Sequence, residues 1–201
     1  MRDKFNGEVV KGVIFDLDGT LIKSPLNFKK IKEKIQCPSE ESILEYINSL
    51  KEEKRRKALR VLISSEVNAA RDSKLYPGVK EVMNYLKKRK IKIAIVTRNS
   101  RKAVDIVLNK HRLSFDALIT REDASPKPSA KPLIVASELL GINRKNLISV
   151  GDYKYDLIAS RKAGIKSILV TYEGNQEYQN LADWRVSSLR EIIKILTPAP
   201  G

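Results

Sequence analysis

The chain has 201 residues, 39 of them Lys or Arg and 24 Asp or Glu, for a net charge of +15, with one cysteine and one histidine. Lone Cys37 excludes an internal disulfide framework and any multi-cysteine metal centre, and lone His111 excludes a histidine-rich one. No apolar run approaches the ~20 residues that a membrane-crossing helix needs, and the polar start MRDKFNGEVV does not read as a secretory signal, so a cytoplasmic protein is expected.

In chain order, residues 9–15 (VVKGVIF) form a short apolar, β-branched run that ends in acid and glycine, the pattern of a buried strand. Residues 24–75 hold no strand pattern and predict helices over 27–35, 39–50 and 51–70, the last with Leu59, Leu62, Ile63, Val67 and Ala70 on one stripe. Cys37 reads as a partly buried apolar residue. After the turn Pro77-Gly78, Val79, Val82, Met83 and Leu86 repeat at helical spacing. A strand is expected over 91–96, then a helix capped by Ser100, carrying Ala103, Val104, Val107 and Leu108 and ending near His111. Strands over 117–119, 147–150 and 167–170 alternate with helices over 133–140 and 155–163, which stop at Gly141 and Gly164. Trp184 and Val186 read as packing on a sheet edge, and residues 197–201 as a frayed tail.

Continuous apolar strands alternating with helices predict an α/β, Rossmann-like three-layer domain with a parallel sheet covered on both faces. The helical stretch after the first strand is too long for a simple crossover. It predicts a small all-helical cap over residues 24–75, with residues 1–23 and 76–201 forming the core.

Ligands of an open parallel sheet bind beyond the carboxyl ends of its strands, and here those ends carry unusual chemistry. The first strand runs into Asp16-Leu17-Asp18-Gly19-Thr20, the second ends at Thr97, followed by Arg98, and Lys127 follows the third between two prolines. The fourth runs into Gly151-Asp152 and on to Asp156, one helical turn later. Each motif alone has a plain reading as a turn, a strand end or a loop. Together they place four acids, a hydroxyl and a lysine along one edge. Hard carboxylate oxygens suit Mg²⁺, which also takes a phosphate oxygen. Thr97 and Lys127 would neutralise the other phosphoryl oxygens, leaving one aspartate to attack and another to move a proton.

With these motifs in this order the sequence resembles the haloacid dehalogenase-like (HAD) hydrolase superfamily, and within it phosphoglycolate phosphatase-like members. FDLDGTLI over residues 15–22 matches the first motif, Thr97 the second, Lys127 the third and the GDxxxD run to Asp156 the fourth. The insertion falls where that family places its cap. The resemblance implies that Asp16 is a nucleophile forming an aspartyl-phosphate and that Asp18 is the acid and base, its carbonyl also on Mg²⁺. It implies that Thr97 and Lys127 hold the phosphoryl group, that Asp152 binds Mg²⁺, and that Asp156 is a further acidic ligand or partner. Asp16 and Asp18 thus serve in both catalysis and metal binding. Lys131-Pro132 repeats the Lys127-Pro128 pair and is the alternative for the third motif, though Lys127 fits better. Arg98, beside Thr97, is a candidate substrate contact. Arg55, Arg56, Arg60 and Arg71 in the insertion could touch a substrate anion or be solvated.

The expected function is therefore Mg²⁺-dependent hydrolysis of a small phosphorylated metabolite, phosphoglycolate-like. A phosphomutase using the same intermediate is the first alternative. A nucleic-acid-binding protein, or a phosphatase of nucleic-acid ends, is the second. The second is motivated only by the charge, which divides as 0 over residues 1–23, +4 over 24–75 and +11 over 76–201. The basic residues are scattered and no recognition motif accompanies them, so no nucleic-acid partner is expected.

Overall fold

The computed structural model describes residues 9–172 and 174–197; the polar start up to residue 8 and the tail from residue 198 lie outside the described residues. The elements are β1 (Gly12–Phe15), β2 (Ile22–Lys23), α1 (Phe28–Ile35), α2 (Ile43–Ser49), α3 (Glu52–Asp72), β3 (Lys74–Leu75), α4 (Val79–Lys88), β4 (Lys92–Val96), α5 (Arg101–His111), β5 (Ala117–Ile119), α6 (Lys131–Leu140), β6 (Leu147–Gly151), α7 (Lys154–Ala163), β7 (Lys166–Val170), β8 (Trp184–Val186) and α8 (Arg190–Leu196).

Six strands form one parallel sheet in the order β5-β4-β1-β6-β7-β8. Their period of two sends Val13 and Phe15 to one face, where α4, α5 and α8 cover them, and Ile14 to the other, under α6 and α7. Burial on both faces explains why these strands read as unbroken apolar runs. Glycines in left-handed conformation end α6 at Gly141 and α7 at Gly164, as expected. The five expected strands are present, the first shorter than its apolar run. The sixth, β8, is the sheet edge that Trp184 and Val186 were expected merely to pack on.

The insertion contains three helices. It is entered and left through β2 and β3, a two-residue antiparallel pair that apolar periodicity cannot show. Ile31, Ile35, Cys37, Ile43, Leu44, Ile47, Ala58 and Leu62 make a core of their own. The stripe on α3 divides between neighbours: Leu62 belongs to that small core, whereas Val67 and Ala70 belong to the core under the main sheet.

Candidate active site

β1 lies between β4 and β6, where the chain, having built one side of the sheet, crosses to build the other. Ligand crevices form at such points. Asp16 leaves β1 there, its N–H donating to the Val150 carbonyl at 2.9 Å. Beyond lies a cavity of about 780 Å³, lined by Asp16, Asp18, Thr97, Lys127, Asp152 and Asp156 and roofed by residues of the insertion. The sequence-predicted acids, hydroxyl and lysine therefore come together in one cavity.

Lys127 is its centre, 4 % exposed. Its ammonium donates to Asp16 Oδ1 at 2.5 Å, Asp156 Oδ1 at 2.5 Å and the Val96 carbonyl at 2.8 Å, so all three N–H bonds are used. Burial works to lower its pKa, but Asp156 and Asp16 outweigh it and hold the ammonium charged. Lys131, the alternative, is exposed at the start of α6. Asp156 also accepts the Tyr153 N–H on Oδ2, closing the start of α7.

Oxygens of Asp16, Asp152 and Asp156 lie within 4.8 Å of one another. Two unit charges at that spacing repel by about 3–4 kcal/mol even at an effective dielectric of ~20. Burial raises Asp16 well above the usual carboxylate range against the lowering charge of Lys127, with Asp156 and Asp152 adding to the rise. Burial and then Asp156 push Asp152 up to about 7. Three carboxylates against one ammonium leave two negative charges, and the donors are all hard oxygens, so these residues fit a divalent cation such as Mg²⁺.

Two glycines let the acids approach. Gly19 has φ +85°, and a Cβ there would lie 2.3 Å from Asp152 Oδ2; one at Gly151 would lie 2.4 Å from Asp156 Cβ. Asp18, the second acid of the first motif, is pushed up to about 6 by burial, against a hydrogen bond from Asn99. It can thus hold or release a proton near neutral pH. Thr97 is buried, and its Oγ1 accepts the Asn99 N–H at 3.1 Å, leaving the hydroxyl proton for the cavity.

Arg98 reaches the mouth of the cavity but is already engaged. Its Nη2 donates to both carboxylate oxygens of Glu45 of α2 at 2.9 and 3.0 Å, its Nη1 bonds the Lys127 carbonyl, and the guanidinium lies 4.7 Å from the Tyr155 ring centroid. The Tyr155 hydroxyl meets Ser42 Oγ at 2.6 Å. None of Arg55, Arg56, Arg60 and Arg71 lines the cavity; Arg55 and Arg56 pair with Glu52. Among the described residues the cations that do line it are Lys23, Lys32, Arg98, Lys127 and Lys154.

Several supporting residues escaped sequence reasoning. Buried Thr20 donates to Asp152 Oδ1 at 3.0 Å, and Asn175 holds the Asp152 and Val170 carbonyls, each at 2.9 Å. Asn99 Nδ2 donates to Asp18 Oδ2 at 2.9 Å. Thr20 had a signal in its place directly after Asp-Gly. Asn175 and Asn99 had none, because the site residues they hold, Asp152 and Asp18, lie 23 and 81 residues away.

Known proteins agree with this architecture. The model of the haloacid dehalogenase-like hydrolase family matches residues 13–170. An uncharacterized hydrolase of Saccharomyces cerevisiae is 32% identical over 198 residues, covering 93% of this chain and 91% of its own. A phosphoglycolate phosphatase of Neisseria meningitidis is 33% identical over 132 residues, 61% of this chain and 56% of its own. The crystal structure of a predicted phosphoglycolate phosphatase from Haemophilus somnus superposes with a TM-score of 0.73 at 23% identity, covering 94% of this chain and 98% of that one. The chain belongs to the haloacid dehalogenase-like hydrolase family, as an enzyme whose relatives include named phosphatases.

Proposed function

We propose that the chain is a phosphomonoesterase of small phosphorylated metabolites that works through an aspartyl-phosphate on Asp16. The observation that carries this is the meeting of Asp16, Asp18, Thr97 and Lys127 at the carboxyl edge of β1 and β4, in one cavity with a cation-ready acid cluster. Asp16, Asp152, Asp156 and the carbonyl of Asp18 would hold Mg²⁺. Bound there, it would neutralise phosphoryl charge and relieve the repulsion among the acids. The remaining work falls to the chain. An Asp16 carboxylate oxygen attacks phosphorus as the ester P–O bond breaks, and Asp18 gives its proton to the departing alkoxide. Asp18 then takes a proton from the water that attacks phosphorus, and the bond to Asp16 breaks to release phosphate. The Thr97 hydroxyl, the Lys127 ammonium and the N–H groups around Leu17 and Asp18 hold the phosphoryl oxygens.

On this reading residues 24–75 are a lid over a core of residues 1–23 and 76–201, held shut by Glu45 on Arg98 and Ser42 on Tyr155. Lys23, Lys32 and Lys154 would face the rest of an anionic substrate, for which phosphoglycolate is the model, in keeping with the Neisseria relative. The test is phosphate release from phosphoglycolate and an aryl phosphate, with and without Mg²⁺. Asp16→Asn is expected to lose at least ~10³-fold, and chelation to abolish turnover. Undiminished release by the variant would sink the mechanism, and sugar-phosphate interconversion without release would point to a phosphomutase.

A further inference from the structure

We propose that Asn99 is a positioning residue that holds Asp18 for proton transfer to the leaving group, and that Glu66 of α3, paired with Arg121, fixes Asn99 in turn. The proposal rests on the reading of Asp18 as the proton donor.

The geometry forms a connected chain. Asn99 is 8 % exposed, and its Nδ2 donates to Asp18 Oδ2 at 2.9 Å. A carboxamide can flip, but this one is held: its Oδ1 accepts the Ser100 N–H at 3.0 Å and its backbone N–H donates to Thr97 Oγ1 at 3.1 Å. With the oxygen so used, the amino group must face Asp18. The Ser100 N–H is shared with Glu66 Oε2 at 3.3 Å. Glu66, 4 % exposed, lies against the Arg121 guanidinium, which meets both its oxygens, one of them at 2.9 Å. Arg121 also bonds the Arg98 carbonyl at 3.1 Å, within the same loop. A buried ion pair of this kind is weak evidence for stability and is better explained by what it orients. Here it ties a helix of the insertion to the loop from which Asn99 holds Asp18.

General-acid help matters most when the leaving group is a poor one. A group that only positions the acid therefore shows itself through the leaving group, whereas one that binds phosphate, or merely supports the fold, affects all esters alike. The experiment compares kcat/KM of wild-type, Asn99→Ala, Glu66→Gln and Asp18→Asn enzymes on p-nitrophenyl phosphate and on alkyl phosphates. Asn99→Ala is expected to lose about 10- to 100-fold on alkyl esters and far less on the aryl ester, with Glu66→Gln showing the same pattern more weakly. Asn99→Ser serves in the same comparison if Asn99→Ala does not fold. Equal loss on both ester types, or no loss, would overturn the proposal. Should Asp18→Asn itself show no leaving-group dependence, the reading of Asp18 fails. Should it show one that Asn99→Ala lacks, only the present proposal fails.

Discussion

Lys127 is the residue whose removal ought to be felt most widely. One ammonium satisfies Asp16 and Asp156, and both carboxylates are largely shielded from water. Lys127→Met keeps most of the apolar stem of the side chain but leaves two buried acids without their counter-charge. It should destabilise the protein by about 3–5 kcal/mol, read as a lower urea midpoint, and abolish phosphate release. A midpoint equal to wild type would mean that the acids are neutral or otherwise compensated. Residues of this kind were legible in the sequence for different local reasons: Asp16 and Asp18 run into Gly19 directly after an apolar strand, Asp152 follows Gly151, Lys127 stands between Pro126 and Pro128, Thr97 ends an apolar run, and Asp156 lies one helical turn after Asp152. Asn99, Glu66 and Arg121 were not legible. Nothing local marks a side chain whose partner lies tens of residues away, and a glutamate on a polar helix reads as solvated until the packing shows otherwise.

Among elements, the two edge strands are fastened by the same device. Just before β5, Asp116 accepts the Ile93 N–H at 2.9 Å and pairs with Lys92 at 2.6 Å; just before β8, Asp183 accepts the Ser167 N–H at 2.9 Å and pairs with Lys166 at 2.8 Å. In both, burial acts to raise the carboxyl pKa but is outweighed by the lysine and the N–H bond, so the folded value is lowered. A depressed pKa contributes stability that is full above the unfolded value of ~3.9 and is lost as pH falls through the folded one. Asp183→Asn should therefore lower the melting temperature at pH 7, and the gap from wild type should close below about pH 4. A gap independent of pH would assign the effect to packing alone. Strand and helix alternation was readable because fully buried strands are apolar throughout. β8 was not, since only Val186 of its three residues is fully buried. The β2–β3 pair, two residues on each side, carries no period at all.

For the whole molecule, the net charge of +15 no longer calls for a nucleic-acid partner. Among the described residues no helix is long and apolar enough to cross a membrane. A positive net charge draws anionic substrates toward a protein, and salt screens that pull over ~8–10 Å. Raising the salt concentration should lower kcat/KM for a phosphate ester several-fold and leave kcat unchanged; a salt-independent kcat/KM would leave the charge without a part in capture. One long helix has a different consequence. Because α3 gives Leu62 to the small core and Val67 and Ala70 to the large one, the insertion cannot melt without exposing apolar surface beneath the sheet. Heat should therefore unfold the chain in a single transition, and the amides of Leu62 and Val67 should exchange with solvent at the same free energy. If the insertion closes the cavity as proposed, the part of it that moves to open the mouth is α1 and α2, about an α3 that stays where it is.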